Sequence, residues 1–260
     1  MLKIKLIPTT IVLSAALLVL GGCGASTKAS STQPQPNPPA QSTQPAQPAQ
    51  QASEIKVYKG LGQVPIFRVG PGKDEKGGQI YSLTYATADA LFDKDGKVID
   101  VYFDALEVLS PNDSEHQGVP KFSGWPTQPG YLGTPSNTNE TAAQEVAAWK
   151  SKRERGDKAY GLNWSEQMGT YQKFFRGKTI SEIEQWFSKN TSDINGRPLT
   201  EKATDPKDKE KYSKLSDQEK KALADVTSGA TISLKDPHGD YIGALKKAYE
   251  NRVEVTIPVK

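Results

Sequence analysis

Residues 24–53 (GASTKASSTQPQPNPPAQSTQPAQPAQQAS) constrain the fold of this chain more than any other stretch. They hold six prolines and seven glutamines, no aromatic residue and no aliphatic side chain larger than alanine. A segment of that composition cannot bury enough apolar surface to offset its ordering entropy, so it is expected to be a disordered linker. Proline-rich linkers are extended, rising about 3.1 Å per residue where polyproline-like, which gives a tether of several nanometres. The core must therefore be built from residues 54–260 alone.

The residues before the linker have the anatomy of an export signal. Lys3 and Lys5 make a positive start, residues 11–20 (IVLSAALLVL) form an apolar run broken only by Ser14, and two small residues, Gly21 and Gly22, precede Cys23. The run is shorter than the roughly 20 residues a permanent membrane span takes. Leu20, Gly21, Gly22 and Cys23 resemble the lipobox of bacterial lipoproteins, which implies that residues 1–22 are removed and Cys23 is diacylated. Cys23 is the only cysteine, so no intramolecular disulfide is possible, and lipidation explains a thiol that would otherwise be a liability in an oxidising compartment. With Lys3, Lys5 and Lys28 set aside, the residues from Glu54 onward carry 30 charges of each sign. A balanced domain is a poor binder of nucleic acid, whose affinity rests on Lys and Arg neutralising phosphates.

The folded part reads as α+β, an antiparallel sheet with helices packed on one face. Residues 55–58 begin a strand, followed by a glycine-rich passage to Gly78. Residues 79–86 and 97–109 are two strands joined by a turn at Asp93, Lys94, Asp95 and Gly96. Imperfect alternation in the second predicts a bulge or two-sided burial. Residues 110–139 read as loop and 140–155 as one helix; 164–175 and 181–189 read as two more, the latter capped by Thr179 or Ser181. Residues 201–221 are charged and mobile-looking, with Ser216 and Glu219 as a capping box for a helix through Leu223. Asp236 and Pro237 are expected to start the last helix, ending at Arg252. Residues 253–259 alternate as a strand, and Pro258 places that strand at an edge.

Residues 225–231 (DVTSGAT) are the informative stretch. Asp225, Ser228, Gly229, Ala230 and Thr231 match the pattern D-x-x-[ST]-G-A-[ST], which resembles the flavinylation motif of the FMN-binding domain family. That family includes the C subunit of the sodium-pumping NADH:quinone reductase and the G subunit of the Rnf complex. The resemblance covers residues 80–108 and 221–259; residues 110–215 are longer than in small versions of the domain. It implies covalent FMN on Thr231 through a phosphoester, installed from FAD by a magnesium-dependent FMN transferase. The residue types also make sense alone. Thr231 supplies a hydroxyl, and Gly229 and Ala230 leave the backbone open to a phosphate. Exposed backbone N–H groups and a nearby helix start would help to hold that phosphate. Asp225 would position the hydroxyl or a magnesium ion. The same stretch could instead be a bare turn between two helices.

Rival chemistry is weak. His116 and His238 lie in no ligand-spaced cluster, and neither a G-x-S-x-G elbow nor a Walker loop occurs. The aromatics Trp149, Tyr160, Trp164, Tyr171, Phe174, Phe175, Trp186 and Phe187 read as core before they read as flavin contacts. The expected whole is a lipoprotein signal peptide (1–22), a lipidated cysteine with its linker (23–53) and an FMN-binding domain (54–260). Held to the outer side of the cell membrane by the Cys23 lipid, it would shuttle electrons from a quinone or flavoprotein donor, as a carrier rather than an enzyme. The alternatives are a non-redox solute-binding or wall-associated lipoprotein and a flavin-dependent extracellular reductase.

Overall fold

The computed structural model describes residues 53–124, 141–159 and 161–259. The export signal, Cys23, the linker as far as Ala52, most of the expected loop together with the start of the expected helix (residues 125–140), and Tyr160 lie outside the described residues; Ser53, read as linker, already belongs to the first strand. In chain order the elements are β1 (Ser53–Lys73), β2 (Gln79–Phe92), β3 (Val98–Leu109), α1 (Ala142–Ala147), α2 (Lys152–Arg155), β4 (Lys158–Ala159), β5 (Leu162–Asn163), α3 (Trp164–Phe175), α4 (Ile180–Asn190), α5 (Pro206–Ser213), α6 (Asp217–Thr227), β6 (Lys235–Asp236), β7 (Gly239–Asp240), α7 (Tyr241–Glu250) and β8 (Val253–Val259). The fold is α+β. Four strands in the order β3-β2-β1-β8 form one antiparallel sheet.

The glycine-rich passage does not interrupt β1; it is the middle of a strand of 21 residues. The reason is the helix above it. A β-carbon on Gly60 would lie 1.8 Å from the Ala248 carbonyl oxygen, and one on Gly62 1.9 Å from that of Ala244. Both glycines point inward and let the backbone of α7 rest on the sheet. Opposite them in β2 stand Ala90 and Ala88, with Ala86 next on the same face, all buried, and Ala244 and Ala248 answer from α7. Small residues on both surfaces bring helix and sheet close together, and the larger side chains Phe92, Phe103, Phe175 and Leu245 fill the flanks.

The hairpin between β2 and β3 has the expected turn, with Gly96 at φ 78°. The irregularity expected in β3 is a bulge: Leu91 pairs with Asp100 and Phe92 with Val98, which leaves Ile99 over. Pro258 lies in β8, an edge strand, as expected.

Four further expectations are corrected. Where one helix over 140–155 was expected, the described residues form two short ones, α1 and α2, because Ser151 caps a new turn: its side chain accepts from the Glu154 N–H, while Glu154 accepts from the Ser151 N–H. The charged stretch 201–221 contains α5, capped by Asp205 and opened by Pro206. Asp236 and Pro237 do not begin the last helix. They belong to the β6–β7 hairpin, and α7 starts at Tyr241 with Asp240 as its cap. The capping box at Ser216 is present, but α6 runs on to Thr227.

Candidate functional site

The DVTSGAT stretch lies where α6 ends. Asp225 is exposed on its last turn, and Ser228 closes the helix by donating its hydroxyl to the Asp225 carbonyl at 2.7 Å. The N–H groups of Gly229 and Ala230 both reach the Val226 carbonyl, at 3.1 and 3.0 Å. Ala230 is wholly buried and belongs to the core. Thr231 follows, half-buried.

Helix α3 grips the segment that leaves the helix. The Thr231 N–H donates to Gln167 Oε1 at 2.9 Å, the Ile232 N–H to the same oxygen at 3.2 Å, and the Thr231 hydroxyl lies 3.4 Å from it. Thr170 Oγ1 donates to the Gly229 carbonyl at 3.2 Å, and the Tyr171 hydroxyl to that of Ile232 at 2.8 Å. Gln167 is completely buried. The motif pointed to none of these three residues. One trace was present: Gln167 stands in an apolar helical stripe with Trp164, Met168, Tyr171 and Phe175, and a glutamine there needs a polar partner.

Two details of the phosphate cradle differ from expectation. The backbone at Gly229 is bare because α3 needs the room: a β-carbon there would lie 2.5 Å from Thr170 Oγ1. The N–H groups of Thr231 and Ile232 are occupied by Gln167, and the motif sits at a helix C-terminus, where the dipole disfavours an anion. A phosphate on Thr231 would thus rely on side chains. The Thr231 hydroxyl borders a cavity of about 450 Å³ that Arg197, Lys202, Thr200 and Thr227 also line. Its rim is a tight loop in which Gly196, at φ 68°, lies against Ser233: a β-carbon would come 2.3 Å from Ser233 Oγ.

On the other side of residues 231–233 is a second cavity, of about 550 Å³, bordered by Ile232 and Ser233 and floored by Trp164 and Tyr241. Arg197 lines both cavities. Lys152 and Glu107 form a buried ion pair at 3.3 Å in its wall. Burial lifts the Asp236 carboxyl, but hydrogen bonds from the His238 side chain and backbone, with the nearby charges of His238 and Lys152, outweigh it and hold the group below its ordinary value. His238 is not at a helix start; it sits in the hairpin turn with its ring against Arg68.

No hydrogen bond among the described residues joins the Asp225 carboxylate to Thr231. None of the described residues forms a cluster suited to a metal ion. Of the expected aromatics, Tyr171, Phe175 and Phe187 are core, as read. Trp149 packs on Phe122 away from the site.

Fold and site together define a class: an α+β domain whose helical layer carries Thr231 on the wall of one cavity and Ile232 and Ser233 on the wall of a second. The chain is 37% identical over 216 residues to a protein of Desulfitobacterium hafniense named "Chlorophenol reductase", a match covering 77% of this chain and 59% of that protein. The chain thus spans about 59% of the length of that relative. No family model matches the chain, and no solved structure does.

Proposed function

We propose that this chain is an exported, lipid-anchored flavoprotein that carries FMN on Thr231 and passes electrons outside the cytoplasmic membrane. The observation that carries the reading is the Thr231 hydroxyl. It ends a DVTSGAT stretch, is half-buried and opens on a cavity, and its backbone is held by a buried glutamine. A nucleophile pinned this way has little conformational freedom to lose when a phosphoester forms. The lining suits a phosphate and its polyol chain in part: Arg197 and Lys202 offer positive charge and Thr200 and Thr227 hydrogen bonds, against the carboxylates of Asp205, which is engaged in capping α5, and Asp208.

Bound flavin supplies the capacity to take up and release one or two electrons. The protein's part is position and environment. Gln167 orients the attachment segment, and the aromatic core behind α3 keeps it rigid. A lipid on Cys23 and the proline-rich tether would confine the domain near a membrane donor and raise its effective concentration there. The magnesium-dependent FMN transferase would recognise the exposed end of α6, where Asp225 and Ser228 are accessible. The reductase name of the D. hafniense relative agrees with a redox role.

A denaturing gel viewed under ultraviolet light tests this. Chain from cells that contain the transferase should give a fluorescent band, and intact mass should show one added FMN. Thr231→Val should abolish both, while Thr231→Ser should retain some label. A colourless wild-type chain would instead favour a solute-binding or wall-associated lipoprotein.

A second reading, a flavin-dependent reductase, is favoured by the 550 Å³ cavity beside Ile232 and Ser233 and by the relative's name. Steady turnover of one organic substrate, far above that of artificial acceptors, would decide for it.

A further inference from the structure

The cavity of about 550 Å³ has an unusual wall. Five buried side-chain polar atoms among the described residues have no hydrogen-bond partner: Arg68 Nε, Arg155 Nη1, Tyr241 Oη, Ser82 Oγ and Thr84 Oγ1. The first three belong to residues that line this one cavity. Tyr241 is 2% exposed and the Arg155 side chain 6%. A buried donor without a partner loses its hydration and gains nothing in return, so three at one cavity call for acceptors that the chain itself does not provide. All three are donors, and Arg68 Nε and Arg155 Nη1 can do nothing else.

Charge narrows the ligand. The wall carries Arg68, Lys152, Arg155, Lys158 and Arg197 against Glu107, Asp157 and Asp236. Two of those carboxylates are already engaged: Glu107 by Lys152 and Asp157 by Arg155 through its Nε and Nη2. The cavity is therefore positive, with donors to spare. Its floor narrows the ligand further. The Trp164 and Tyr241 rings meet at 5.9 Å between centroids, and Leu109, Val119 and Ile232 add apolar surface. A flat hydrocarbon body suits that floor, while a pair of oxygens suits the guanidinium and phenol donors.

We propose that this cavity binds a small planar organic anion, an aromatic carboxylate being its simplest form. The site goes beyond the flavin reading and does not depend on it. Ile232 and Ser233, next to Thr231 in the chain, line it, so such a ligand lies beside whatever Thr231 carries.

The test is calorimetric titration of the full chain with benzoate, and with benzyl alcohol as the neutral counterpart, on both the flavin-carrying protein and its Thr231→Val variant. One-to-one saturable binding is expected in both, with benzoate preferred at least about tenfold. Tyr241→Phe removes only the unpartnered hydroxyl, so it should keep the melting temperature and weaken benzoate binding roughly fivefold. Arg68→Gln should weaken it about tenfold. Absence of saturable binding, equal affinity for the alcohol, or unchanged affinity in both variants would overturn the proposal. Binding confined to the Thr231→Val protein would overturn it too, because the flavin itself would then fill the cavity. If intact mass shows that the wild-type chain carries no FMN, the flavin reading fails and the benzoate result stands by itself.

Discussion

Gln167 is the residue that holds the turn at Thr231 in place. Its side-chain oxygen accepts from the N–H groups of both Thr231 and Ile232 from a completely buried position. Gln167→Leu keeps the volume but leaves both donors without that acceptor, at a cost of about 2 kcal/mol or more. Urea denaturation should show that loss, and the fluorescent band should weaken although Thr231 is intact. Full labelling in the leucine variant would mean that the turn needs no such support. The buried tyrosines make a second residue-scale prediction. Burial pushes the hydroxyls of both Tyr171 and Tyr241 above the ordinary value of 10.0; for Tyr241, Glu107, Asp236 and Asp104 add to the rise and Arg155 opposes it. A group raised in the folded state stabilises that state fully below its unfolded pKa and loses the contribution as pH climbs above it. Stability should therefore fall from about pH 10 upward. Two of the ten tyrosines should show no phenolate absorbance until the chain unfolds. Smooth titration of all ten in the folded protein would contradict this.

The close seat of α7 on the sheet dominates the element scale. Gly62→Val would drive a side chain into the Ala244 carbonyl and the Lys247 side chain. The helix backbone cannot move aside without opening the core that Ala88, Ala244 and Leu245 share, so a loss of about 3 kcal/mol is expected in thermal or urea melts. A near-neutral substitution would show that α7 can lift. The same contact explains why the glycine-rich passage was not legible as strand. In isolation glycine weakens a strand; here it is what permits the strand to lie under a helix. Helix starts were more legible. Thr179, Asn163 and Ser216 each stand three residues before a glutamate, and all three begin helices through reciprocal caps. The start at Asp236 and Pro237 was misplaced because a capping residue followed by proline also suits a tight turn, and here the hairpin took it.

At the scale of the whole molecule, no helix among the described residues is long and apolar enough to cross a membrane. Attachment would fall to Cys23, outside the described residues. Cys23→Ser should move the chain from the membrane fraction to the soluble one while its fluorescence is retained. Shortening the linker should leave the melting temperature of the domain unchanged and slow electron delivery from a membrane donor. Membrane retention of the serine variant would remove the anchor from the picture.

What the amino-acid order alone determined was local. A turn signal between two strand-forming runs marked β2 and β3, alternation marked β8, caps at Thr179 and Ser216 marked two helix starts, and a run of small residues marked the turn at Thr231. Each of these is a short-range property, decided by neighbours within a few positions. The tertiary structure decided the rest: which face the glycines of β1 present, that Gln167 on α3 secures a turn 64 residues away, and that Arg68, Arg155 and Tyr241 line one cavity. Those pairings cross long separations, and only the packing of α3 and α7 on the sheet brings them together, because no residue carries in its own identity the position of a distant partner.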